Sequence, residues 1–246
     1  ELLANLRHDL RTPLTVIGGF AAALADGTAT GEAAGRAARA IGEESARLET
    51  LVDELDAIER LRTGAAGLRP ERIDAIDALR RTAERFAQEV GSAGVELVVE
   101  AAPAEPGRTE TAATEPTNDL RFAADRLAVD RMLGNLVVNA LQAVPRPGGH
   151  VWLSARAVPA VVAGEPSRIA FSVTDDGPGF PPGTVDRVFE RFYRADPARS
   201  GRGSGLGLAI VRELAEAHRG RALAEQVAPH GARVSVILPR VPQATA

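Results

Sequence analysis

Apolar residues recur at alternating steps of three and four through the first part of the chain, at Leu3, Leu6, Leu10, Ile17, Phe20 and Leu24. That spacing is the a/d seam of a helical bundle or coiled coil. Asp26-Gly27 and the small polar residues up to Gly31 supply a turn. The rhythm then resumes through Ile41, Leu48, Leu51, Leu55, Ile58 and Leu61. Residues 1–64 therefore predict two amphipathic helices joined as an antiparallel hairpin. One hairpin hides its stripe poorly, whereas two complete a four-helix bundle, so a homodimer is expected.

After Thr63–Pro70 the pattern changes, and residues 65–70 read as a linker to a second domain at 71–240, with a tail at 241–246. Helices are predicted near Asp74–Val90, Asp125–Val144 and Leu206–Arg219. Strands are predicted near Val95–Val99, His150–Ala157, Arg168–Thr174, Arg221–Val227 and Ala232–Leu238. Residues 101–119, rich in Ala, Pro, Thr and Glu, offer little to bury and read as a mobile surface loop; Pro159–Pro166 is a second loop. Strands and helices mix without strict alternation. The fold class expected is α + α/β: a helical hairpin forming a dimeric four-helix bundle, then a two-layer α/β sandwich with a mixed, largely antiparallel sheet.

Composition narrows the chemistry. A net charge of -4 argues against a nucleic-acid surface. With no cysteine, disulfides, zinc-thiolate sites and thiol nucleophiles are excluded. Lysine is also absent, which rules out a P-loop and the strand lysine of a eukaryote-type protein kinase. No apolar run reaches the roughly 20 residues that span a bilayer, so no membrane contact is expected of this stretch itself. The chain starts at Glu1, inside a helix of interest, and reads as a fragment of something longer.

Four places could carry chemistry. His8 falls at heptad position f, away from the seam, with Asp9 beside it, Thr12 one turn on and the helix-perturbing Pro13 next. An exposed helical histidine is most often only a solvated residue. An imidazole is also substantially neutral near pH 7, so one ring nitrogen can act as a nucleophile. Asp9 is placed to accept a hydrogen bond from the other nitrogen and to stabilise developing charge. In the helix near Asp125–Val144, Asn135, Asn139 and Gln142 fall on one stripe. A polar solvent face would explain them, but asparagine is a weak helix former, and amide oxygens suit a hard cation such as Mg²⁺ bridging phosphates.

Ile169, Phe171 and Val173 alternate inward along a strand, and Asp175 continues that parity. A carboxylate turned to the core side calls for a partner, such as a ligand amino group. Gly177 and Gly179 follow it and permit close backbone approach, although Asp-Gly turns are common in their own right. Lastly, Gly203, Ser204, Gly205, Leu206, Gly207 and Leu208 open the last helix. Such glycine-rich loops are often merely flexible, but here backbone N–H groups and a helix N-terminus could surround phosphate oxygens. Ahead of that run, residues 181–203 read as a gating lid.

The string from Arg7 to Leu14 resembles the phosphoacceptor box of sensor histidine kinases. The segment Asp130–Gln142 resembles the N box of the Bergerat-type ATPases, and Asp175–Gly179 resembles their D-x-G-x-G box. Val188–Arg194 is similar to the histidine-kinase F box and Gly203–Arg212 to the second glycine box. The likeness runs from Leu2 to Pro239 apart from the loops at 101–119 and 159–167. It implies two-component signalling, with ATP-dependent phosphorylation of His8 and transfer to an aspartate on the receiver domain of a response regulator. It further implies that Asn139 holds Mg²⁺, with Asn135 as its helper near the phosphates and Gln142 on the same stripe. Asp175 would recognise adenine, and Thr12 would serve dephosphorylation of the partner. Many members carry Lys or Arg at the Gln142 position and an aromatic at the Ala143 position. By the same likeness the chain would be the cytoplasmic portion of a membrane-anchored sensor. A different Bergerat ATPase, or a non-enzymatic ATP-responsive scaffold or phosphatase, remains as a competing reading.

Overall fold

A computed structural model of the protein describes residues 2–62, 67–101, 120–160, 167–193 and 205–240. The hairpin is built from α1 (Leu2–Ala25) and α2 (Gly31–Arg62), packed against each other. Their connection is set by turn chemistry: the Asp26 side chain accepts from the Thr28 N–H at 2.9 Å, and Gly27 and Gly31 take positive φ. Pro13, at a d position of the seam, is buried. Leu14, Phe20 and Val52 remain exposed on the hairpin. The side chains before Leu10 and most of those after Ala46 in α2 lie outside the described residues.

A five-stranded mixed sheet carries the remainder, with β2 (Glu96–Ala101), β4 (His150–Val158), β5 (Arg168–Asp175), β6 (Arg221–Gln226) and β7 (Ala232–Pro239). The order is β2-β4-β5-β7-β6; β2–β4 is parallel and the other three pairings are antiparallel. Helices α3 (Ala75–Ala93), α4 (Arg126–Ala143) and α5 (Gly207–Ala217) complete the sandwich. The core joins Leu79 of α3, Leu133 and Leu136 of α4 and Ile210 of α5 to Val151, Leu153, Phe171 and Val236 of the strands. Removal of one such buried leucine side chain costs about 2–5 kcal/mol. The mixed, largely antiparallel sandwich expected from the sequence is the one observed. In addition, α2 packs against α5, with Leu48 against the sandwich core.

One element was not foreseen. Strands β1 (Pro70–Asp74) and β3 (Arg121–Asp125) pair antiparallel as a separate two-stranded sheet. Each is five residues long with few inward apolar positions, Ile73 on one and Phe122 and Ala124 on the other. So little alternation cannot be told from a loop. The pair seats two helix starts. Asp74 caps α3 by accepting from the Ile76 and Asp77 N–H groups at 2.9 and 3.2 Å.

Asp125 caps α4 by accepting from the Ala128 N–H at 3.0 Å, and its other oxygen takes the Arg69 N–H at 3.0 Å. Burial pushes the Asp125 carboxyl up, but the Arg69, Ala128 and Leu127 N–H groups and the nearby His218 outweigh it and hold the pKa low. The Asp125 N–H donates to His218 Nε2 at 3.2 Å, while His218 Nδ1 lies 2.8 Å from the Leu214 carbonyl. The cap thus ties α4 to the end of α5. Asp125→Ala is expected to destabilise the protein by about 1–2 kcal/mol, read as a lower denaturation midpoint at an unchanged denaturant slope.

Candidate functional site

His8 and Asp9 lie in the backbone of α1, and their side chains fall outside the described residues. Thr12, one turn later, is exposed. Just beyond Pro13, which cannot donate a helical hydrogen bond, the Thr15 hydroxyl donates to the Arg11 carbonyl at 2.8 Å.

The other predicted residues converge on one wall, α4. Asn135 and Asn139 are half-buried and Gln142 is exposed, as one stripe at the edge of the helix's buried arc. Asn135 Nδ2 donates to the Gly207 carbonyl at 3.2 Å, which clamps α4 to the first residue of α5. Asn139 makes no hydrogen bond to a described residue. At the far end of α4 the Ala143 carbonyl oxygen lies 2.9 Å from where a Cβ on Gly177 would sit, too close for a side chain without a shift of backbone. Asn135 and Ala143 are eight residues apart, so the two contacts sit about 12 Å apart along the helix axis. Asn139 is midway.

Asp175 ends the central strand β5 and is only 4% exposed. Its Oδ1 accepts from the Gly177 N–H at 3.0 Å and the Ala232 N–H at 3.3 Å. The second oxygen takes no hydrogen bond from the described residues. Burial raises the Asp175 pKa above its ordinary value; the two N–H donors oppose this and the Asp176 charge adds to it. A largely buried carboxylate is stabilised as an anion only by donors that reach it, which here are two backbone N–H groups.

The glycine run is described from Gly205 onward; Gly203 and Ser204 lie outside the described residues, as do positions 194–203 of the predicted lid. Gly205 has φ +69, and a Cβ there would sit 2.8 Å from the Phe192 backbone. The Phe192 N–H donates to the Gly205 carbonyl at 2.8 Å, with Phe192 itself at φ 63. The two described shoulders of the lid are thereby joined. Phe189 and Phe192 are buried in the core, and Arg191 ion-pairs with Glu213 of α5, fixing the lid's first shoulder to that helix. Leu206 stands at the N-cap of α5 and has no capping side chain of its own; a helix start carries partial positive charge at its first N–H groups. Leu206 is buried and Leu208 half-buried beneath that turn.

Two participants escaped the sequence reading. His150, at the start of β4, places Nδ1 2.9 Å from Asp176 Oδ2 and Nε2 3.4 Å from Glu96, and stacks on Trp152. Its backbone N–H also donates to Asp176 Oδ1 at 2.9 Å. Burial raises the Asp176 pKa, but these bonds and the charge of His150 outweigh it and lower it. Gln226, at the end of edge strand β6, accepts the Phe180 N–H on Oε1 at 2.8 Å. Both contacts depend on strand register, which no local spacing records.

Two family models match the chain. Residues 1–64 match the His Kinase A (phospho-acceptor) domain. Residues 124–242 match the histidine kinase-, DNA gyrase B- and HSP90-like ATPase family. The chain is 31% identical to the sensor histidine kinase WalK of Bacillus subtilis over 97% of its own length and 36% of WalK. It is 34% identical to the sensor histidine kinase MtrB of Mycobacterium tuberculosis (strain H37Rv), over 97% of the chain and 38% of MtrB. It thus spans little more than a third of these relatives. Among solved structures, full-length ShkA in complex with AMPPNP aligns at TM-score 0.65 and 29% identity, covering 99% of this chain and 46% of ShkA. The histidine kinase ThkA in complex with the response regulator TrrA aligns at TM-score 0.71 and 22% identity, covering 100% of this chain and 63% of that one, a likeness of fold.

Proposed function

This chain belongs to the sensor histidine kinases, and from that membership we propose that it transfers the γ-phosphoryl group of ATP to His8 and then to an aspartate of a response-regulator receiver domain. The observation that carries the reading is the shared wall of α4. One end meets the Asp175–Gly179 loop, the other meets Gly207 at the start of α5, and Asn139 lies between. The span of about 12 Å suits a nucleotide laid with adenine at Asp175 and phosphates at Gly205, Leu206, Gly207 and Leu208. Gly203 and Ser204 complete the phosphate loop in this reading.

The roles follow from the residue types. Asp175 Oδ2 accepts from the adenine amino group, and Gly177 and Gly179 let the loop that carries Asp175 lie close against the Ala143 carbonyl and the Gln226 amide. The N-terminal end of α5, with its favourable dipole, receives phosphate oxygens. Asn135 holds α4 and α5 in register. Asn139 would hold a magnesium ion through its amide oxygen, and such an ion would supply positive charge to the transferring group. A neutral ring nitrogen of His8 attacks the γ-phosphorus in line. The nitrogen–phosphorus bond forms as the bond to the β-phosphate oxygen breaks, releasing ADP. Asp9 accepts the hydrogen bond of the other ring nitrogen and steadies the charge. Thr12, on the same helix face, is assigned to dephosphorylation of the regulator.

Two hairpins are proposed to join as a four-helix homodimer, since Leu14, Phe20 and Val52 stay exposed on one hairpin. The working division is 1–64 for the dimerisation and phosphoacceptor unit and 71–240 for the ATP-binding unit. No helix among the described residues is long and apolar enough to cross a membrane. Most of the length of WalK and MtrB has no counterpart here, which supports placing this chain as the cytoplasmic kinase portion of a membrane-anchored sensor.

Incubation with γ-labelled ATP and Mg²⁺ tests the reading. Label stable in alkali and lost in acid is expected, and its absence from the wild-type chain would sink the kinase assignment. For Asn139→Ala, the Mg²⁺-dependent part of ATP affinity is expected to disappear while the metal-free affinity is kept. An unaltered magnesium dependence by titration calorimetry would remove Asn139 from its role.

A further inference from the structure

We propose that Gln226, which lies outside every recognised motif, is a positioning residue for nucleotide binding: it fixes the adenine loop and the first shoulder of the lid from the edge of the sheet. The inference rests on the reading of Asp175–Gly179 as the adenine loop.

Leu97, Val151, Asp175, Ala232 and Gln226 form one continuous row across all five strands of the sheet. Two members of that row bond to the adenine loop or its aspartate. The Ala232 N–H donates to Asp175 Oδ1 at 3.3 Å, and Gln226 Oε1 accepts the Phe180 N–H at 2.8 Å. Gly179 lies directly beneath the Gln226 amide. It has φ +75, and a Cβ there would overlap that amide. The turn between β6 and β7 is closed by the Val227 N–H on the Gly231 carbonyl at 3.0 Å. Gly231 in turn lies so close to the Asp175 carbonyl that no Cβ could stand between them.

The β6–β7 hairpin therefore holds the segment 175–180 at both ends, through Ala232 at its start and Gln226 at its finish. Asp175 has its own backbone and core to locate it. Phe180 packs its side chain against the core but opens the stretch leading to the lid, where backbone–backbone bonding of 176–181 among the described residues is limited to the Asp176 N–H on the His150 carbonyl and the Thr184 N–H on the Pro181 carbonyl. The Gln226 acceptor is what sets the exit direction of the loop. Because its side chain is largely in solvent, its loss should loosen that exit without unfolding the sheet.

The test compares wild type, Gln226→Leu and Gln226→Glu in the full chain. Glutamate keeps an acceptor oxygen, and leucine keeps bulk without one. ATP affinity with Mg²⁺ is measured by calorimetry, together with hydrogen exchange at the Phe180 amide and thermal stability. Gln226→Leu is expected to weaken ATP binding about five- to tenfold, in line with loss of one hydrogen bond. Phe180 exchange should quicken with the thermal midpoint little changed, and Gln226→Glu should restore most of both. If Gln226→Leu binds ATP as wild type does, the inference falls while the site stands. If glutamate fails to rescue, the acceptor is not what matters, and the inference falls as well. If wild type itself binds no ATP, the reading of the site fails and this inference with it.

Discussion

His8→Gln should take up no acid-labile label from γ-labelled ATP, a loss of more than about a thousandfold, while its ATP affinity stays that of the wild type. Glutamine is a good helix former of similar length, so α1 keeps its seam, but its amide nitrogen is no nucleophile. The chain has four histidines, which makes the test decisive. His150 has both ring nitrogens engaged, by Asp176 and Glu96. His218 has both engaged as well, by the Leu214 carbonyl and the Asp125 N–H. Only the exposed His230, on the turn between β6 and β7, could offer a nitrogen in place of His8. Residual acid-labile label on His8→Gln would move the acceptor to His230 and overturn the role of α1. Loss of ATP binding together with label would instead mean that the substitution had damaged the fold.

Asp175→Asn is expected to reduce ATP affinity by roughly 10- to 100-fold and, at neutral pH, to leave the protein as stable as before or more so. The asparagine carbonyl can still accept from the Gly177 and Ala232 N–H groups that Oδ1 serves now. What changes is the second position, where an amino group would face the amino group of adenine, donor against donor. The stability effect has a definite sign. The folded pKa of Asp175 lies above its ordinary 3.8, so between the two values the folded state holds a proton that the unfolded chain has released. Stability therefore declines as pH rises through that window. Asparagine removes the decline. Thermal midpoints of the two proteins should coincide in acid and separate as pH rises, with the variant the higher. A constant gap across pH would show that burial of the charge is not the cause. Unchanged ATP affinity would remove Asp175 from adenine recognition.

What the sequence disclosed, and what it hid, divides along physical lines. Leu3, Leu6 and Leu10 disclose α1 because a helix repeats its face every few residues, so neighbours in the chain suffice. Ile169, Phe171 and Val173 disclose the inward face of β5 for the same reason, and Asp175 is buried as that parity requires. The stripe of Asn135 and Asn139 is again a local fact. Gln226 and His150 are different. Their meaning lies in partners 46 and 26 positions away, and those partners become neighbours only once strand order and register are fixed. The small sheet of β1 and β3 was hidden for another reason. It is too short to show a period, and what it contributes is two helix caps rather than a hydrophobic face of its own.

The hydrogen bond from Phe192 to Gly205 has a practical meaning for engineering. It brings the chain at Phe192 and at Gly205 together, so that a loop between them starts from ends that already meet within the folded domain. For such a loop the entropy of closure grows only with the logarithm of its length, about 0.6 kcal/mol for each doubling. A peptide tag or a small fluorescent reporter spliced between those shoulders would burden the sheet and α5 very little. If the segment gates nucleotide as proposed, a foreign sensor placed there would report the protein's own occupancy.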